Sequence, residues 1–141
     1  MEPLRASCQC GNLTAEIGHG AEPTVVMCHC LDCQKRSGSQ FGSIVYYPVA
    51  KVALSGEARE FTRPTDSGYS FTTGFCPTCG STVYARPGRM PEIVGVTVGT
   101  IADPSFPPPI RSVYEQSRHH WVEPPADTQG FARGRDGERT R

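Results

Sequence analysis

Neither sign of charge prevails in this sequence: 14 Lys and Arg stand against 14 Asp and Glu, for a formal net charge of zero at neutral pH. That balance argues against a domain built to coat nucleic acid, whose footprint is basic, and it offers no polybasic face to an anionic membrane. Long apolar runs are also missing. No stretch approaches the roughly 20 residues that cross a bilayer as a helix, and Met1 to Ser7 holds no apolar segment that would serve as a secretory signal. The expectation is a cytoplasmic chain with neither nucleic acid nor membrane as partner. Core-forming residues are scarce as well, with 37% apolar residues, 9% aromatics and one Trp in 141 residues. Such a chain makes one domain with a thin core, of the kind that often needs a metal or disulfide fastener. Repeats of solenoid length are absent too.

What the chain does have is 15 Gly, 13 Pro and 7 Cys. Frequent Gly and Pro favour short strands and many turns over long helices. Alternating or β-branched runs predict strands over Leu13 to Ile17, Thr24 to Met27, Phe41 to Tyr47, Lys51 to Leu54, Glu57 to Phe61, Tyr69 to Phe75, Thr82 to Ala85, Ile93 to Val98 and Arg111 to Tyr114. Only Leu31 to Ser37 reads as a helical turn, ended by Gly38. The fold class expected is all-β or mainly β. Asp103 to Pro109 reads as a rigid extended connector, because its three consecutive prolines hold it near polyproline geometry. The domain is expected to span residues 1–126, followed by a loose Pro-, Gly- and Arg-rich tail over residues 127–141.

The seven cysteines fall into three groups: Cys8-x-Cys10-Gly11, Cys28-His29-Cys30-x-x-Cys33, and Cys76-x-x-Cys79-Gly80. In a reducing compartment, clustered cysteines point to metal rather than disulfides. Zinc prefers soft thiolates in a tetrahedron, and a C-x-x-C turn aims two of them at one point. The glycine after each outer pair lets the chain bend around an ion. The odd total divides as four plus three. Cys8, Cys10, Cys76 and Cys79 make a closed structural site that ties distant segments together. Cys28, Cys30 and Cys33 leave the second ion a fourth position open to water or substrate. A zinc ion with three thiolates carries a formal charge of −1, so it is a poor generator of hydroxide and better suited to take a fourth thiolate. His29, between two ligands, is an alternative occupant of that position and would close the site. Two further alternatives are a different pairing of the cysteine groups and a redox dithiol built on Cys30 or Cys33.

The order Cys8-Gln9-Cys10-Gly11, Cys28-His29-Cys30-Leu31-Asp32-Cys33 and Phe75-Cys76-Pro77-Thr78-Cys79-Gly80-Ser81 resembles that of the glutathione-dependent formaldehyde-activating family, also called CENP-V-type. The segment Gln34 to Ser39 and the aromatics Tyr114 and Trp121 support the resemblance, which covers roughly residues 4 to 126. It implies a twisted, antiparallel Mss4-like β fold, two zinc ions per chain, and the division of cysteines given above, with Cys28, Cys30 and Cys33 at the working zinc. The activity implied is addition of glutathione to formaldehyde, formally a carbon–sulfur lyase run in reverse. In that scheme a small thiol enters the open position and attacks an aldehyde placed beside it. His29, His119 and His120 are candidates to relay a proton. Lys35 and Arg36 would attract an anionic thiol, although a solvated helix face is the more common reason for such residues. Phe41, Tyr46 and Tyr47 would wall a pocket or simply fill the core. The competing class is a non-enzymatic zinc module acting as a chaperone or interaction domain, and self-association into a homo-oligomer is left open.

Overall fold

The computed structural model describes residues 3–141, so the expected domain start at Met1 falls outside the described residues. Eleven strands follow one another along the described chain: β1 Leu4–Ser7, β2 Thr14–Ile17, β3 Thr24–Cys28, β4 Gly42–Pro48, β5 Val52–Ser55, β6 Arg59–Pro64, β7 Ser70–Phe75, β8 Thr82–Pro87, β9 Ile93–Thr97, β10 Arg111–Val113 and β11 Gln129–Gly130. A single α-helix, α1, covers Leu31–Ser37, and three short 3-10 turns complete the secondary structure. The protein is mainly β, as its composition predicts, and nine of the strands lie on the runs named above. No helix among the described residues is long and apolar enough to cross a membrane.

The chain divides into two compact units. The first comprises Met1–Pro23 and Val45–Pro104, the second Thr24–Ile44 and Ser105–Arg141. In the first unit, β2 pairs antiparallel with β1 and with β5. A second antiparallel run joins β6 to β7, β7 to β8 and β8 to β9. The core is built of small side chains: Ala6, Leu13, Ala15, Val83, Ala85 and Val96 are buried, with Tyr47 the bulkiest fully buried residue. Each buried Leu or Val adds only about 1.5–3 kcal/mol, so a core of alanines and valines has little surplus over chain entropy. The turns between β1 and β2 and between β7 and β8 are where the outer cysteines sit.

Gly74 shows how tightly the meander closes. It stands opposite Tyr84 in the β7–β8 register, and a Cβ placed there would lie 2.0 Å from the Tyr84 ring carbon Cζ. The tyrosine lies across the bare glycine backbone and sends its hydroxyl to the Glu60 carboxylate on β6, donating over 2.6 Å. Arg86 contacts the same carboxylate. The Tyr84 hydrogen bond, with the Arg86 charge behind it, holds the Glu60 carboxyl below its usual range.

The second unit departs from the antiparallel pattern. Strand β10 runs parallel to β3, with Ser112 opposite Met27 and Val113 opposite Cys28, and β11 runs parallel to β10 on its other side. The residues expected to form a loose tail supply β11. Beyond it, Phe131 is buried and bridges to Arg139, whose guanidinium lies over the ring at 5.3 Å from its centroid. Composition hides this because the segment has almost no apolar residues. It is held by backbone hydrogen bonds, from Phe131 N–H to the Ser112 carbonyl and from Tyr114 N–H to that of Arg133.

Replacement of Gly74 by Ala is expected to destabilise the protein by about 1–3 kcal/mol, the range for overpacking a filled site. The measurement is the urea midpoint, which should fall with the slope unchanged; an unchanged midpoint would show that Tyr84 moves aside freely.

Candidate metal centres

The first centre is made of two turns with the same design. In one, Cys8 follows β1 and accepts at its carbonyl from Gly11 N–H (3.1 Å), while Leu13 N–H donates to Cys8 Sγ at 3.1 Å. In the other, Cys76 follows β7, its carbonyl accepts from Gly80 N–H (2.8 Å), and its own N–H donates to the Ser81 carbonyl. Gly11 and Gly80 have φ of +87° and +80°, values that side chains other than glycine rarely adopt. The turns are joined by a hydrogen bond from Gln9 N–H to Ser81 Oγ, at 3.1 Å.

This arrangement brings the sulfurs of Cys8, Cys10, Cys76 and Cys79 within 4.8 Å of one another. Cys8 and Cys10 are 3.7 Å apart and Cys10 and Cys76 are 3.6 Å apart. A tetrahedron of sulfurs at 2.3 Å from zinc has edges of about 3.8 Å, whereas a disulfide holds its sulfurs near 2.05 Å. The spacing therefore fits a shared ion and excludes a bond. The thiols differ in acidity. The Ser81 hydroxyl and N–H, with the Cys10 N–H, pull Cys79 down to about 5. At Cys10 the Asn12 N–H works downward, but burial and the neighbouring thiols push it up to about 11. Ionisation is helped at Cys79 and opposed at Cys10, which is the situation a cation resolves.

The second centre lies where β3 meets α1. Cys28 is the last residue of β3, Cys30 caps the helix, and Cys33 lies in its first turn. The Cys33 N–H donates to Cys30 Sγ at 3.2 Å, so a thiol takes the place of the usual serine or aspartate cap. The three sulfurs lie within 4.8 Å of one another. Among the described residues no fourth Cys, His, Asp or Glu joins them. Hydrogen bonds shared with Cys30 and Cys33, together with burial, hold Cys28 well above the ordinary thiol range. For Cys33 the bond with Cys28 works downward, yet Cys30 and burial raise it to about 11, while the charge of Arg36 opposes the rise. Either group could hold a metal ion, and an all-thiolate donor set suits zinc.

His29 does not join the trio. It is fully buried, and its Nε2 meets Ser112 Oγ on β10 at 2.9 Å. Burial works to raise the Glu115 carboxyl, but Ser112, Thr140 and Arg141 together hold it below the usual range. Alternation along the chain explains the outcome: the residue between Cys28 and Cys30 faces away from both.

The other candidates separate clearly. Lys35 is exposed. Arg36 is half-buried and lies against Gly42, where an added Cβ would come within 2.5 Å of its Nη2 and 3.4 Å of the Cys33 Cβ. Phe41 packs against the His29 ring, centroids 5.9 Å apart, and Tyr47 is core in the first unit. His119 reaches Gln34 on α1, and His120 is exposed. Sequence reasoning missed Ser112 and Glu115, which carry no local signal, and Gln34, whose only signal is its place directly after Cys33.

Comparison with known proteins adds to this geometry. The sequence model of a family described as glutathione-dependent formaldehyde-activating enzyme matches residues 3–117. No curated protein matches the chain. A crystal structure of a Rhodobacter sphaeroides protein, a structural-genomics target, is similar with a TM-score of 0.52 at 20% identity, over 68% of this chain and 85% of that one. At that identity the likeness concerns the fold.

Metal uptake must displace protons from thiols, so affinity falls with pH. In the first centre Cys79 is pulled down to about 5 although Cys10 is pushed up to about 11, whereas in the trio Cys28 and Cys33 are both raised. On acidification of zinc-loaded protein, the trio is therefore expected to release its ion at higher pH than the four-cysteine group. A colorimetric chelator should record two steps, the first abolished in Cys33→Ser; a single step would contradict the difference in acidity.

Proposed function

This chain belongs to the glutathione-dependent formaldehyde-activating enzyme family, and on that premise we propose that it adds a small thiol of the glutathione kind to an aldehyde such as formaldehyde, as a carbon–sulfur lyase working in the synthetic direction. The observation that carries the reading is the inequality of the two cysteine groups, four donors in one and three in the other. In this reading Cys8, Cys10, Cys76 and Cys79 hold a structural zinc, and Cys28, Cys30 and Cys33 hold a second with one position left for substrate. A zinc ion held by three thiolates supplies a site that keeps an incoming thiol ionised rather than one that makes hydroxide.

The chain's own residues supply the rest. The short helix aims Cys30 and Cys33 through a single turn, and Gly38 closes it in a left-handed conformation with φ of +67°. Arg36, fixed against Gly42, places a positive charge beside Cys33. There it favours ionised sulfur and attracts the carboxylates of an anionic thiol. The thiol gives up its proton, its sulfur forms a bond to the carbonyl carbon, and the carbonyl π pair moves to oxygen. The oxygen then takes up a proton to give the hemithioacetal. Holding the two reactants together lowers the barrier by about 7–11 kcal/mol in the most favourable alignments.

A zinc module without catalysis is the competing reading, and the exposed Leu31 and Trp121 of the second unit are the apolar side chains it would use. Calorimetry separates the two. Zinc-loaded protein should bind glutathione, and Cys30→Ser should drop from two zinc ions per chain to one, keep its circular dichroism and lose that binding. Glutathione binding that is absent, or that persists after zinc removal, would remove the proposal.

A further inference from the structure

The thiol's proton needs an acceptor, and the residues around the trio leave few. His29 is fully buried, with Nε2 engaged by Ser112 Oγ and Nδ1 enclosed away from solvent. Glu115 is already held by Thr140 and Arg141. The remaining histidines of the second unit are His119 and His120, and only His119 is attached to α1.

The attachment determines which nitrogen is free. The Gln34 side-chain amide donates from Nε2 to two backbone carbonyls, of His29 at 2.9 Å and of Ser117 at 3.1 Å. Carbonyls only accept, so the amide cannot be turned over. Its Oε1 therefore faces His119 Nε2 at 2.9 Å, and an amide oxygen also only accepts. His119 must donate Nε2–H, which leaves the lone pair of the neutral ring on Nδ1. Gln34 is the residue after Cys33, and the carbonyl it holds belongs to the residue between Cys28 and Cys30. One amide thus joins a solvent-exposed imidazole of fixed tautomer to the helix that carries Cys33 and to the backbone carbonyl between Cys28 and Cys30.

We propose that His119, oriented by Gln34, is the proton acceptor for the thiol that adds to the aldehyde at the Cys28–Cys30–Cys33 centre. The proposal rests on the function proposed above. The thiol S–H bond breaks with its proton passing to Nδ1, the C–S bond forms, and the imidazolium returns the proton to the carbonyl oxygen. The ring ends as it began, so no further reactant is required. Gln34 is a positioning residue in this scheme, because it acts only through His119.

The test uses the zinc-loaded full chain with glutathione and formaldehyde. His119→Gln keeps an N–H of similar reach for Gln34 Oε1 and removes the basic nitrogen, so a purely structural role would survive it. The protein-dependent condensation rate, read by exchange NMR, is expected to fall by about 100-fold, the lower range for a general base, with zinc content and glutathione affinity unchanged. His120→Gln should keep the wild-type rate. Nitrogen-15 NMR of the histidine side chains should show neutral His119 as the Nε2–H tautomer, with that preference lost in Gln34→Leu, a readout that stands even if His119→Gln fails to fold. An unchanged rate in His119→Gln, or an Nδ1–H tautomer in the wild type, would overturn the proposal. A wild-type protein that binds no glutathione and accelerates nothing would instead remove the function reading, and the acceptor role with it.

Discussion

Sulfur atoms held 3.6–3.7 Å apart cannot all ionise unless a cation lies among them, and the protein is organised around that constraint. Two turns separated by more than sixty residues converge on one point, each with a left-handed glycine and each with N–H groups turned toward sulfur. Mutual repulsion of thiolates makes the group unstable as a set of anions and receptive to a divalent ion. The same physics acts on the trio, where Cys28 and Cys33 are both raised. The trio differs in holding one donor fewer, and the proposed chemistry rests on that difference.

The rest of the fold is consistent with a chain that depends on such fasteners. Its fully buried residues are mostly valine and other modest side chains, with Tyr47 and Leu13 the largest apolar members. A seven-residue helix has too few internal hydrogen bonds to persist alone; α1 is capped at one end by the Cys30 thiol and at the other by Gly38. Metal binding at its first turn would reinforce the cap that already orients Cys33. In the second unit, Ser112 on β10 anchors His29, and with it the chain direction between Cys28 and Cys30.

Much of this was legible in the sequence where the signal is local. The helix runs over Leu31–Ser37 as its residues predict, and the cysteine spacing names both clusters before any coordinate is known. Strand β1 was missed because Leu4–Ser7 is short and carries only two apolar residues. The parallel pairing of β10 with β3, and of β11 with β10, joins segments far apart in sequence and leaves no local trace. The ordered segment after Asp127 was unreadable for a related reason: its partners are backbone groups and one aromatic, Phe131. His29 was open as a fourth ligand until alternation and Ser112 placed its ring elsewhere. Gln34 and His119 lie 85 positions apart and meet only in the folded unit.

In the proposed function, three thiolates leave one coordination position for a substrate thiol. X-ray absorption at the zinc edge tests it most directly, on protein carrying two zinc ions per chain. Four sulfurs at one ion and three at the other give an average of about 3.5 per ion. The account predicts that value without added thiol and a rise to about 4 when glutathione saturates the protein. An average already at about 4 in the absence of thiol, or no change on its addition, would contradict it.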